Sequence, residues 1–124
     1  MNANSIKRKV YLEFLLSQRL IRQKKFDHIN AKDEQLLKIV AIAYEKNTPL
    51  FVIDLLENKD MGAHSTVHKR IQKLRQLNMI EYERTEDRRR FQVNPTGDLL
   101  RYFDQLGNSM IAIGKMHLKS KQYF

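Results

Sequence analysis

The sequence predicts a mainly α fold with one small β-hairpin, a winged helix-turn-helix flanked by an N-terminal and a C-terminal helix. Three observations carry that expectation. Apolar residues recur at helical spacing over most of the chain. The period changes to two only between Ile80 and Val93. Proline and glycine are confined to Pro49, Gly62, Pro95, Gly97, Gly107 and Gly114. Long stretches without either residue favour helices, and alternation marks strands.

Each element has its own local signal. A first helix is expected from about Ser5 to Lys24, where Ile6, Val10, Leu15 or Phe14, Leu16, Leu20 and Ile21 form a broad apolar face and Lys7, Arg8, Lys9, Arg19 and Arg22 fill the remainder. Asn30 suits the cap of a second helix, and Asp33 puts a carboxylate near its positive end. Leu36, Leu37, Ile39, Val40, Ala43 and Tyr44 carry that helix to Asn47, and Thr48-Pro49 breaks it. Leu50 and Phe51 form an extended link, and a brief helix follows over about Val52 to Asn58. Met61-Gly62 marks the next turn. The fourth helix, about Ala63 to Asn78, gathers Val67, Ile71 and Leu74 on one face, and Asn78 can close it in a left-handed conformation. A hairpin spans about Ile80 to Asn94, and a last helix runs from about Asp98 to Lys119.

The 124 residues are read as one domain: 1–29 the N-terminal helix and linker, 30–96 the winged helix-turn-helix, 97–124 the C-terminal helix. Cysteine is absent, which excludes disulfides and thiolate chemistry and agrees with a reducing cytoplasm. No apolar run approaches a membrane span or a signal-peptide core. The net charge of +9 is unevenly placed. Residues 1–25 hold seven basic side chains against one acidic, 26–60 four against seven, and 61–90 eight against four. A basic block on a small domain points to a polyanion, most often nucleic acid.

The fourth helix is expected to be the recognition helix. With Val67, Ile71 and Leu74 as its anchor, 100° per residue turns Ser65, Lys69, Gln72 and Gln76 outward, with His68 and Lys73 beside them. No acidic residue occurs from Met61 to Ile80. The expected contacts to double-stranded DNA are His64, Ser65, Thr66, His68, Lys69, Arg70, Gln72 and Lys73 from this helix, in a major groove that admits a helix. Ser65 and Thr66 near its amino end suit a phosphate. Arg88, Arg89 and Arg90 at the hairpin tip are expected on the backbone or a narrow minor groove, with Asp87 bracing an arginine.

The run Ser65-Thr66-Val67 through Leu74, then Asn78-Met79-Ile80, Asp87-Arg88-Arg89 and Thr96, resembles the MarR (multiple-antibiotic-resistance regulator) family of bacterial transcription factors over about residues 33–100. Asp87 and Arg89 fall on that family's Asp-x-Arg wing tip. The resemblance implies a homodimer on a pseudo-palindromic operator, with helix and wing in adjacent grooves. It also implies an effector pocket between the dimerisation helices and the DNA-binding lobe. The sequence departs from the pattern at Ala63, Pro95 and Gly97 and has one C-terminal helix instead of two, which argues against that pocket.

Leu99, Phe103, Leu106, Met110 and Ile113 are spaced four, three, four, three, a heptad seam read as a dimer interface. His64 and His68 share a metal-compatible spacing, but no further ligand is in view, so neither metal nor cofactor is expected. No phosphate loop, nucleophile triad or carboxylate pair suggests an enzyme. The expectation is a cytoplasmic, nucleoid-associated, dimeric, sequence-specific transcriptional regulator that works as a repressor. Two alternatives stand beside it: a winged helix used for protein–protein assembly, and a plasmid or viral replication or architectural DNA-binding protein.

Overall fold

The structure is a computed structural model that describes residues 3–87 and 89–122. In order, helix α1 is Ala3–Lys25, α2 Ala31–Glu45, α3 Val52–Leu56, α4 His64–Gln76, strand β1 Ile80–Arg84, β2 Phe91–Pro95, and α5 Gly97–Gln122. A 3-10 turn at Lys59–Met61 stands between α3 and α4. The mainly helical winged architecture is therefore as expected. The differences lie at boundaries: α3 stops two residues early at Leu56, and the 3-10 segment begins at Lys59.

Two compact units divide the chain. Ile29–Arg101 form one, and the segments on either side form the other. In the first unit α2 begins on a reciprocal capping box. Asn30 Oδ1 accepts the Asp33 backbone N–H at 2.8 Å, and Asp33 Oδ2 accepts the Asn30 N–H at 3.0 Å. The Phe51 N–H donates to Asp54 Oδ2 and starts α3. Gly62 has φ 112°, a region that side chains avoid, so glycine is what permits the turn into α4. Asn78, at φ 59°, closes α4 in the left-handed conformation expected of it.

β1 and β2 pair antiparallel with Ile80 opposite Pro95 and Arg84 opposite Phe91. The outer edge of β2 is also covered. The Val93 N–H donates to the Leu50 carbonyl at 2.7 Å, and Phe51 bridges to Gln92. Thr96 then ties the hairpin to the next helix. Its hydroxyl donates to the Asn78 carbonyl at 2.8 Å and accepts the Leu99 N–H at 3.2 Å, which caps the first turn of α5. The core beneath the hairpin is Leu36, Leu37, Val40, Leu55, Met61, Val67, Ile71, Leu74, Met79, Ile80, Val93 and Leu99, all buried.

In the second unit α1 and the later part of α5 run antiparallel. Phe26 meets Tyr102 edge-on at 5.0 Å, Ser17 Oγ lies 2.5 Å from Ser109 Oγ, and Glu13 Oε2 lies 3.0 Å from His117 Nε2. Here the structure corrects the expected dimer seam. Leu99 and Leu106 are buried within the chain, Phe103 and Ile113 are half-buried, and only Met110 is largely exposed. The exposed apolar residues are instead Tyr11, Leu12, Leu15, Leu16 and Leu20 on α1, and Met110, Ile111, Met116 and Leu118 on α5. A helix of 26 residues carries more than one apolar stripe, and the heptad reading picked partly the one that packs inward. Among the described residues no helix is long and apolar enough to cross a membrane.

Candidate nucleic-acid interface

Val67, Ile71 and Leu74 bury one side of α4 completely. The opposite side is set by helix geometry: Ser65, Lys69, Gln72 and Gln76 are exposed there, Thr66 and His68 are exposed at its flanks, and His64 is exposed at the helix start. Ala63 caps α4 without a side-chain hydrogen bond, so the first-turn amides beside Ser65 and Thr66 are not used by a cap. No carboxylate lies on α4, while Lys73 and Arg75 stand in its last turn. The exposed surface thus combines neutral hydrogen-bonding groups with cations.

Arg70 and Lys73 depart from the expectation that they stand free on this face. Both bind Asp33: Arg70 Nε donates to Oδ1 at 2.9 Å and Lys73 Nζ to Oδ2 at 2.5 Å. The Arg70 side chain is only 13% exposed, which turns it away from solvent toward α2. Burial pushes the Asp33 carboxyl upward. The bond and charge of Lys73, the Asn30 N–H and the Arg70 bond outweigh burial and hold it below the usual carboxylate range. In the sequence Asp33 shows only as part of a helix start. Its partners lie 37 and 40 residues away, and no local signal links them.

The hairpin tip has a built backbone. Asp87 Oδ1 accepts the Arg89 backbone N–H at 3.0 Å, and the Asp87 carbonyl accepts the Arg90 N–H at 3.0 Å. Thr85 Oγ1 donates to the Asp87 carbonyl at 2.8 Å. Asp87 therefore braces the loop through the main chain of Arg89 and Arg90. Arg89 is exposed. Arg88 lies outside the described residues. Arg90 is exposed too, and its guanidinium sits 3.9 Å over the Phe51 ring. On the other side Arg75 sits 3.7 Å over Tyr82, which stacks on Phe91. Burial raises the Tyr82 phenol above its ordinary value against the opposing charge and hydrogen bond of Arg75. A groove of about 500 Å³ opens between these features, lined by Phe51, Ile53, Leu56, Tyr82 and Phe91 with His68, Arg89 and Arg90.

A short helix, a turn, an exposed polar helix and a buttressed hairpin define the class of this fold as winged helix-turn-helix. Among solved structures, the chain is similar to BpsR of Bordetella bronchiseptica, reported for the mechanism by which 6-hydroxynicotinic acid regulates the DNA binding of that protein. The TM-score is 0.51 at 16% identity, covering 94% of this chain and 79% of that one. At that identity the likeness speaks for the fold. No protein-family model matches the chain, and no curated protein matches it.

Proposed function

We propose that this chain is a sequence-specific regulator of transcription that binds double-stranded DNA as a homodimer and acts as a repressor in the cytoplasm. The observation that carries the reading is the exposed side of α4, where His64, Ser65, Thr66, His68, Lys69 and Gln72 stand together on a helix without a carboxylate. Such a helix fits the major groove. Lysine can pair with guanine acceptors and glutamine with adenine. Arg89, with Arg88 beside it in sequence, would grip the backbone or minor groove. The fold shared with BpsR, a protein whose DNA binding is regulated, favours this over an enzyme or an assembly module. The uncovered apolar faces of α1 and α5 favour a dimer. The regulation of BpsR by 6-hydroxynicotinic acid supports a small aromatic acid as an effector of this chain too, although its single C-terminal helix departs from the pattern that builds such a pocket.

Salt titrations on a duplex obtained by in vitro selection and on a scrambled duplex test the reading. Lys69→Ala and Gln72→Ala are expected to lose discrimination at particular base pairs, by about 1–3 kcal/mol for a good contact. Arg89→Ala is expected to weaken both duplexes together and flatten the salt slope by about one. If native protein binds neither duplex, the face does not read DNA and the assembly reading takes its place.

A further inference from the structure

Asp33 joins two elements that the fold must hold in register. It is 1% exposed at the start of α2 and bonds the side chains of Arg70 and Lys73, three residues apart on α4. The capping role does not need its charge, because an asparagine oxygen would accept the Asn30 N–H equally well. Stability is also a weak reason for the charge, since a buried ion pair often does no better than an apolar replacement. Arg70 Nη1 is buried without a hydrogen-bond partner among the described residues, so the cluster is not tuned for complete satisfaction. What the carboxylate does do is occupy two cations of the proposed recognition helix. Lys73 lies one turn beyond Lys69, about 40° round the axis at 3.6 residues per turn, and its side chain is 38% exposed. It stands at the border of the exposed face, held from behind.

We propose that Asp33 is a positioning residue that tunes DNA affinity: it holds Arg70 and Lys73 off the DNA backbone, so that α4 binds with fewer phosphate contacts. The inference rests on the DNA-binding reading above. Phosphate contacts strengthen binding to every sequence alike, whereas base contacts discriminate. Withholding these cations therefore lowers affinity for selected and random duplexes by the same factor and makes binding less dependent on salt. Arg70, mostly buried, sets the rotation of the helix, and Lys73 is the cation that can be released.

The test uses Asp33→Asn in the full chain, with salt titrations on the selected and scrambled duplexes. The variant is expected to bind the selected and the scrambled duplex alike about tenfold more tightly at low salt. The salt slope is expected to steepen by about one, the value for one added phosphate contact. Adding Lys73→Met to that variant should return the slope to its native value, and Lys73→Met alone should leave it unchanged. A purely structural role would weaken binding to both duplexes and could not steepen the slope. An Asp33→Asn protein with native circular dichroism and an unchanged or flatter slope overturns the proposal. If that variant does not fold, Lys73→Met alone decides: an unchanged slope supports masking, and a slope flatter by about one overturns it. Failure of the native protein to bind any duplex removes the DNA reading itself. Native binding with these variants behaving otherwise removes only the role of Asp33.

Discussion

The two compact units treat apolar side chains in opposite ways. Residues 29–101 bury thirteen apolar side chains in a core of their own and leave four large ones exposed, Ile42, Tyr44, Ile53 and Leu77. The α1 and α5 unit buries Tyr102 and Leu106 but leaves nine large apolar side chains uncovered. Both regions are helical and amphipathic, so helix propensity does not separate them. What separates them is the number of elements over which apolar surface can be shared. Three helices, a turn and a hairpin can enclose a core, whereas two long helices can seal only the faces they turn to each other. The first unit buries most of its apolar side chains by its own packing, and the second leaves most of its large ones exposed.

The largest expected effect breaks the first unit. Leu74 is fully buried beneath α4. Leu74→Ala is expected to cost about 2–5 kcal/mol by lost burial and an unfilled cavity. Met110→Ala, on an exposed site of the second unit, should stay within about 0.5 kcal/mol in the monomer. Urea denaturation of both variants measures the contrast. Equal losses at low protein concentration would mean that the two units are not built differently.

A smaller but more telling change addresses the partner. Leu16→Glu with Met110→Glu places carboxylates on both uncovered helix faces. An unpaired charge in an apolar interface is strongly unfavourable. Sedimentation should show native dimers converted to monomers, with a dissociation constant raised at least about a hundredfold, equivalent to about 2.7 kcal/mol. Amide exchange within residues 29–101 should barely change. A native chain that sediments as a monomer at micromolar concentration would refute the dimer.

The contrast also explains how far the sequence could be read. The winged core was legible because its signals are local: Asn30 and Asp33 at one helix start, Gly62 and Asn78 at the ends of α4, and strict alternation from Ile80. The outward side of α4 followed from three buried positions and a fixed turn of 100°. What stayed hidden is long-range chemistry among side chains. Asp33 takes hold of Arg70 and Lys73 across 37 and 40 residues, and Arg90 covers Phe51. A charge in a sequence does not announce whether it faces solvent or a partner. The seam from Leu99 to Ile113 failed for a related reason: periodicity finds apolar stripes but does not say which neighbour covers each.

Asp33 supplies a pH test inside the first unit. Its carboxyl is held below 3.8, the ordinary value, by Lys73, Asn30 and Arg70 against the effect of burial. A depressed folded value means that its contribution is present above the unfolded value and is lost as pH falls through the folded one. Thermal melts should therefore show native protein losing stability below about pH 4 more steeply than Asp33→Asn. Parallel acid limbs would show that the carboxylate is not held ionised by α4.

The smallest expected effect sharpens the comparison within the first unit, between its core and its hairpin. The core is sealed by burial, but the outer hairpin is pinned by two guanidiniums on rings, Arg75 over Tyr82 at 3.7 Å and Arg90 over Phe51 at 3.9 Å. Both arginines are exposed, and such contacts contribute about 0.5–1 kcal/mol at exposed sites. Methionine keeps much of the apolar stem and removes the charge. Arg90→Met is thus expected to speed amide exchange in β1 and β2 by roughly three- to fivefold, the equivalent of that energy, and to leave α2 and α4 unaffected. Arg75→Met should do the same from the other side of the strands. The two readings of Arg90 then separate cleanly. If its work is to hold the wing, DNA affinity falls only as far as the hairpin loosens, and the salt slope stays as it was. If it grips a phosphate, the slope flattens by about one while exchange in the hairpin does not change.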